Sequence, residues 1–288
     1  MTPRRADALL LAATAVWGVS FVVVKGALAD SSPLAFLTLR FALAAAVLAP
    51  FTDLRTPFSR AEIRGGLLLT VLLAIGFATQ AVGLQYTTPA RSAFIVALSS
   101  VLAPVVALVA LRQRPRWLVA AAVAIAGLGI YFLTAPDAGG LNPGDLWTLI
   151  TAVVFGGHIV AVAELSRRHD ARRLVWLQLA GTALLAAVAA VPLEPVRVIW
   201  SPALIGAVVF TGVVATALAL VWQMRAQRHM SSARAALVLC FEPVFATMTS
   251  WVWLGERLSV TQWAGAGLIL AGMILAELPE RAQPPPGS

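Results

Sequence analysis

Glu242-Pro243 lies inside an apolar run that extends from Ala233 to Trp253. A carboxylate in hydrocarbon is costly, and a proline removes a backbone donor and frees a carbonyl of the preceding turn. Such a pair suits capture of a substrate ammonium or carriage of a proton; it also suits a protonated or paired glutamate that stabilises a kink. His158 stands near the middle of the run from Asp145 to Ala163, where imidazole can donate to a substrate carboxylate or bond a backbone carbonyl or a neighbouring helix. Trp17 and Ser20 are three apart, share a helical face and offer an aromatic surface beside a hydroxyl. Gln80, Ser92, Ser99 and Ser100 add polar groups within apolar runs, where interhelical bonding competes with substrate contact. The candidate substrate-binding set is Trp17, Ser20, Gln80, Ser99, His158 and Glu242. Arg40 is expected to snorkel or to pair with an acid. Trp222, Trp251 and Trp253 sit at run ends and read as interfacial anchors.

Enzyme chemistry finds no foothold in these residues. There is no Gly-rich phosphate loop, no HExxH pair and no Ser/His/Asp set with reinforcing spacing, so no catalytic residue and no ATP hydrolysis is expected. One cysteine, Cys240, and three scattered histidines build neither a disulfide nor a metal cluster, and no cofactor is expected. What remains is a facilitator or an ion-coupled carrier.

The elements that hold these residues follow from composition. The 288 residues are 60% apolar and 12% charged, about half the charge of a soluble domain. The mean hydropathy is +0.87. Ten apolar runs approach the roughly 20 residues that a helix needs to cross hydrocarbon. They are Ala8–Val24, Pro33–Phe51, Arg64–Leu84, Ser92–Leu111, Trp117–Leu133, Asp145–Ala163, Leu174–Val191, Pro202–Trp222, Ala233–Trp253 and Thr261–Leu278. None alternates as a barrel strand would, so the fold class is an all-α polytopic membrane protein. Sixteen of the 21 basic residues fall in the loops of one side when the N-terminus is placed in the cytoplasm, and this predicts cytoplasmic termini. The net charge of +8 therefore faces an anionic leaflet rather than nucleic acid.

Residues 136–144 form a linker without basic residues between two five-helix halves, 1–135 and 145–279; the Pro-rich tail 280–288 is expected to be disordered. At an offset of 143, Ala90-Arg91-Ser92-Ala93 falls on Ala233-Arg234-Ala235-Ala236; at 138, Asp7 falls on Asp145 and Trp17-Gly18 on Phe155-Gly156. Five is odd, so homologous halves must be inverted, an arrangement of secondary transporters with a midplane site between the repeats. Arg91 and Arg234 occupy equivalent positions on opposite sides, suited to gating or anchoring at two cavity mouths. Gly127, Gly129, Gly265, Gly267 and Gly272 make the fifth and tenth helices smooth enough for scaffold or dimer contact.

Trp17-Gly18-Val19-Ser20-Phe21 with Lys25, Pro33 with Arg40, Gly83-Leu84-Gln85-Tyr86-Thr87, Glu242-Pro243-Val244-Phe245 and Leu254-Gly255-Glu256-Arg257-Leu258 resemble the signatures of EamA-type carriers of the drug/metabolite transporter superfamily. The chain is also similar to YddG-type exporters of aromatic amino acids. The second half departs from the signature, with Phe155-Gly156-Gly157-His158 in place of Trp-Gly-x-Asn/Ser. The resemblance implies ten helices in two inverted repeats and export of amino acids, metabolites or drugs. The expectation is a multi-pass exporter in a bacterial inner membrane, monomer or homodimer. Its substrates would be small amphipathic metabolites, chiefly amino acids with aromatic or other apolar side chains, with a proton as the possible coupling ion. An alternative is a proton-coupled exporter of lipophilic cationic drugs.

Overall fold

The computed structural model describes residues 2–112, 117–135, 140–227, 229 and 232–277. Arg114, Arg116, Arg228 and Arg281 of the basic loops, residues 136–139 of the expected linker and the 280–288 tail lie outside the described residues.

Among the described residues the fold is all-α, with one isolated antiparallel bridge between Ser31 and Val198. The first half comprises α1 (Pro3–Ala27), α2 (Pro33–Leu48), α3 (Arg60–Tyr86), α4 (Pro89–Ala110) and α5 (Trp117–Leu133). The second begins with α6 (Pro143–Leu165) and α7 (Ala171–Leu193). Its eighth crossing is composite: α8 (Pro202–Val209), a π-helical segment (Phe210–Leu218) and α9 (Ala219–Gln227). The ninth crossing is α10 (Ser232–Leu239) followed by α11 (Glu242–Leu254), and α12 (Val260–Glu277) completes ten. Eight crossings are long and apolar enough to span a membrane; α5 and α12 are shorter apolar helices. An even number of crossings puts the N-terminus and the end of α12 on one face, here the termini face, opposite the far face.

Several crossings start ahead of their apolar runs: α3 at Arg60 rather than Arg64, α4 at Pro89 rather than Ser92, α6 at Pro143 rather than Asp145, α7 at Ala171 rather than Leu174. Capping chemistry sets these starts. Ser59 with Glu62 and Asn142 with Asp145 form capping boxes; Thr88, Asp170 and Ser201 accept from backbone N–H groups of the first turn. Proline at the first turn loses no hydrogen bond, because the first N–H groups of a helix have no partner within it. At α2 the cap comes from another element: Glu194 accepts from Leu34 N and Ala35 N at 3.0 Å each.

The expected continuous ninth helix is corrected. It breaks at Cys240 and Phe241, so Glu242 lies in the first turn of α11 rather than deep within one helix. Pro243 sits where proline opens a helix, and the chain resolves the missing donor by starting a new helix instead of bending an old one.

Packing shows the inversion. Each of α2, α4 and α5 packs against its own counterpart, α7, α11 and α12 respectively. The remaining contacts are exchanged: α1 packs on the eighth and ninth crossings, while α6 packs on α3 and α4. This reciprocity is that of two repeats related by a pseudo-two-fold axis, and five crossings per repeat turn the second over relative to the first. The main core gathers Phe36, Leu37, Phe41, Leu84 and Leu204 around α2. A second core, with Phe94, Ile95, Leu133 and Ile269, joins α4 to the α5–α12 pair.

The smooth faces of α5 and α12 meet each other within the chain. A Cβ at Gly265 would lie 2.5 Å from Leu133 N and 2.6 Å from Gly129 O, whereas one at Gly267 would meet nothing within 4 Å. Gly265→Val should therefore force the helices apart and destabilise by about 1–3 kcal/mol. Thermal unfolding in detergent should show a loss of several degrees for Gly265→Val and almost none for Gly267→Val.

Candidate functional site

The interior polar groups cluster where α1 meets the two interrupted crossings. Trp17 Nε1 donates to Ala215 O at 2.7 Å, inside the π-helical segment. Ser20 Oγ donates to Trp17 O at 2.7 Å, so this hydroxyl is held by its own helix. Gly18, between them, lets α11 close on α1: a Cβ there would stand 2.6 Å from Phe245 Cβ and 2.8 Å from Glu242 O. The Glu242 side chain is half-buried and makes no hydrogen bond or ion pair among the described residues.

His158 Nε2 lies 2.7 Å from Gln178 Oε1, joining α6 to α7. Phe155 beside it continues an edge-to-face run of rings, Phe155 to Phe77 at 5.1 Å and Phe77 to Phe41 at 5.0 Å between centroids. This aromatic run ends under Arg40, whose Cζ stands 4.7 Å from the Phe77 centroid. Arg40 neither snorkels nor pairs with an acid, contrary to the expectation for a cation at that depth. It is 4% exposed, at the middle of α2, and its Nε donates to Thr216 Oγ1 at 3.2 Å. Ser99 is buried on α4, with its backbone carbonyl against Gly156, and Gln80 is half-buried on α3 with no partner among the described residues. Of the six expected substrate-binding residues, only Trp17 and Ser20 bond each other. A far-face cavity of about 540 Å³ between α2, α3, α6 and α7 is lined by none of the six; it is bordered by Thr79, Gln85, Trp147, Glu194 and Arg197.

Two ion pairs tie the halves together at opposite faces. Arg91 of α4 pairs with Asp145 of α6 at the far face, and Arg234 of α10 pairs with Asp7 of α1 at the termini face. These are equivalent positions in the two repeats, so each arginine of a fourth crossing meets the aspartate that opens the first crossing of the other half. Their surroundings differ. The far pair is sealed, with side chains 6% and 0% exposed, and Asp145 also accepts from Thr87 Oγ1 at 2.7 Å and Asn142 N at 3.0 Å. The termini pair is open, at 51% and 31%. Lys25 closes the far face further by donating to the carbonyls of Leu84 and Thr87. On the termini face Arg173 binds Glu62 and the carbonyls of Asp53, Thr56 and Pro57, and covers the Phe58 ring at 4.1 Å.

Arg40, Gln178, Thr216, Asp7 and Asp145 were not among the expected site residues. The repeat offsets did align Asp7 with Asp145 and Arg91 with Arg234, and that double alignment is the signal from which both pairs could have been drawn. Gln178 and Thr216 carry no signal beyond a polar group in an apolar run. Among the described residues no group of three His, Cys, Asp or Glu side chains could hold a metal.

A helical carrier built from two inverted repeats is the class that this architecture defines. The chain belongs to the EamA-like transporter family, whose profile matches residues 4–135 and again residues 142–278. A protein of Archaeoglobus fulgidus named an uncharacterized transporter is 32% identical over 273 residues, covering 95% of this chain and 86% of its own. The uncharacterized transporter YoaV of Bacillus subtilis is 18% identical over 275 residues, covering 92% and 94%. A solved structure titled only as a crystal structure of protein superimposes with a TM-score of 0.66 at 20% identity, covering 94% of this chain and 96% of that one, which shows a shared fold.

The two ion pairs should differ in their contribution to stability. Asp145→Asn removes a buried carboxylate engaged by Arg91, Thr87 and Asn142, and should cost about 3–5 kcal/mol. Asp7→Asn removes a half-buried carboxylate from a pair whose arginine is 51% exposed, and should cost less than Asp145→Asn. Thermal unfolding of the two purified variants compares them directly.

Proposed function

We propose that this carrier exports small amphipathic metabolites, chiefly amino acids with aromatic or other apolar side chains, by alternating access between its two repeats. The observation that carries this reading is the pair of equivalent Arg–Asp bridges at opposite faces, one sealed and one exposed. Rocking one repeat against the other would exchange their environments, closing the termini-face pair as the far-face pair opens. The basic loops support cytoplasmic termini in a bacterial inner membrane, with the far face outward. Arg91 and Arg234 then serve as the gates.

The Glu242 carboxylate, without a partner among the described residues at the break of the ninth crossing, suits an ammonium group. Trp17, Ser20, Gln80, Ser99 and His158 lie on the helices that would wall the substrate, and the Phe41–Phe77–Phe155 run suits its apolar side chain. Efflux would follow the substrate gradient or a proton carried by Glu242. No cofactor enters, and a monomer carries both halves of the proposed site. A lipophilic cation is the second reading, favoured by the same unpartnered carboxylate.

Counterflow of labelled tryptophan in proteoliposomes tests the proposal. The wild-type protein should accumulate label against an internal unlabelled pool, and Glu242→Gln should lower the initial rate at least tenfold. Absence of counterflow for every aromatic amino acid overturns the amino acid reading. Retention of a lipophilic cation as the transported species, lost in Glu242→Gln, would replace it with the second.

A further inference from the structure

Arg173 and Arg40 are almost equally buried, and they are treated in opposite ways. Arg173, 6% exposed, has Glu62 and three backbone carbonyls around its guanidinium. Arg40, 4% exposed, has one hydrogen-bond acceptor, the Thr216 hydroxyl, and two aromatic rings, Phe77 and Phe41. A guanidinium carries five N–H donors, so four of those on Arg40 have no acceptor among the described residues. No carboxylate of the described residues lies within 4.0 Å of it. At Arg173 acceptors meet four of the five donors, and at Arg40 they meet one.

The surroundings keep Arg40 aimed rather than neutralised. Thr216 Oγ1 donates its own proton to Thr211 O at 2.7 Å, five residues back, which leaves a lone pair fixed toward Arg40 Nε. That bond exists because the segment is π-helical, and π-helical turns recur at functional sites. Holding Nε fixes the guanidinium plane, and its two terminal nitrogens carry the planar donor pair that matches a carboxylate in a bidentate bond. The neighbouring residue, Ala215, receives the Trp17 indole, and Gly18 abuts the Glu242 backbone. The Trp17-Gly18 step thus connects the unpaired cation to the unpaired anion, while the two do not form an ion pair with each other. Three of the expected polar groups are otherwise engaged: Trp17 on Ala215, Ser20 on Trp17 and His158 on Gln178.

We propose that Arg40 is the anchor for the carboxylate of the transported substrate, with Thr216 as its positioning residue and Phe77 as the ring that supports it. The proposal rests on the export reading above and narrows its substrate class to carboxylates, amino acids among them, rather than amines. A lipophilic amine would satisfy Glu242 and leave Arg40 open.

Isothermal titration of the purified full chain with three probes tests this: tryptophan, its amide and indole-3-acetate, which has the carboxylate but no ammonium. Wild-type protein should bind tryptophan at least tenfold more tightly than the amide. Arg40→Gln should reduce tryptophan and indole-3-acetate affinity at least tenfold and abolish the preference for tryptophan over its amide. Arg40→Lys keeps the charge but loses the planar fork and should fall between. Thermal stabilisation of wild-type protein by tryptophan and indole-3-acetate, and not by the amide, gives the same answer without any variant. Equal wild-type affinity for tryptophan and its amide overturns the carboxylate anchor. So does a folded Arg40→Gln protein that binds tryptophan as wild type does, and either result leaves the amino acid reading standing. Arg40-dependent binding of indole-3-acetate without binding of tryptophan would uphold the anchor and sink the amino acid reading.

Discussion

In hydrocarbon there is no water to complete a hydrogen bond, so each backbone group and each charge within the bilayer must be answered from inside the chain. This constraint explains the regular parts of the fold and also its exceptions. Ten crossings are helical because a helix pairs its own backbone. Their ends carry Ser, Thr, Asn, Asp and Pro because the first turn has donors that the helix cannot use. Glu194 capping α2 and Lys25 meeting the carbonyls of Leu84 and Thr87 extend the same rule between elements, and both tie down the far face. Arg40 and Glu242, which have no opposite charge beside them among the described residues, are therefore informative.

The inverted repeat converts this local rule into a device with two ends. Because the second half is the first turned over, an arginine and an aspartate placed once in the repeat become two pairs, Arg91–Asp145 and Arg234–Asp7, one at each face. Under the proposed alternation, identical chemistry at the two faces would keep two end states close in energy, which is what a carrier that alternates requires. The present conformation selects one, with the far pair buried and capped by Thr87 and Asn142. The interruptions at Phe210–Leu218 and at Cys240–Phe241 both fall in the second half, against α1. The two halves are therefore equivalent as scaffolds and unequal as site walls, in keeping with His158 standing where the first half has Ser20.

Much of the scaffold was legible in the residues. Run length and charge placement reveal ten crossings, Gly129 and Gly265 foretell a close helix pair, and an odd number of helices per half dictates inversion. The break before Glu242 has no trace in the hydropathy, which passes smoothly through Leu239-Cys240-Phe241, and only the geometry of Pro243 distinguishes a bent helix from a new one. The π-helical segment left no trace in composition, since Phe210–Leu218 is as apolar as its neighbours. Arg40 was read as a snorkelling or paired side chain because those are the usual solutions for a cation at depth. That neither was adopted depends on what α3 and the eighth crossing place around it, and this is set by tertiary packing between the halves. Asp7 and Asp145 were visible as equivalents, but their pairing with Arg234 and Arg91 needed the exchanged packing of α1 and α6.

The central claim is that the two Arg–Asp pairs alternate. It is tested most directly by placing a single cysteine at Gln80, with Cys240 replaced by alanine, and measuring its reaction with a membrane-impermeant maleimide applied from either face of oriented vesicles. Asp145→Asn should raise the rate severalfold from the far face and lower it from the termini face, and Asp7→Asn should do the reverse. Rates that change in the same direction from both faces, or that change in neither variant, would show that the pairs are anchors and not gates.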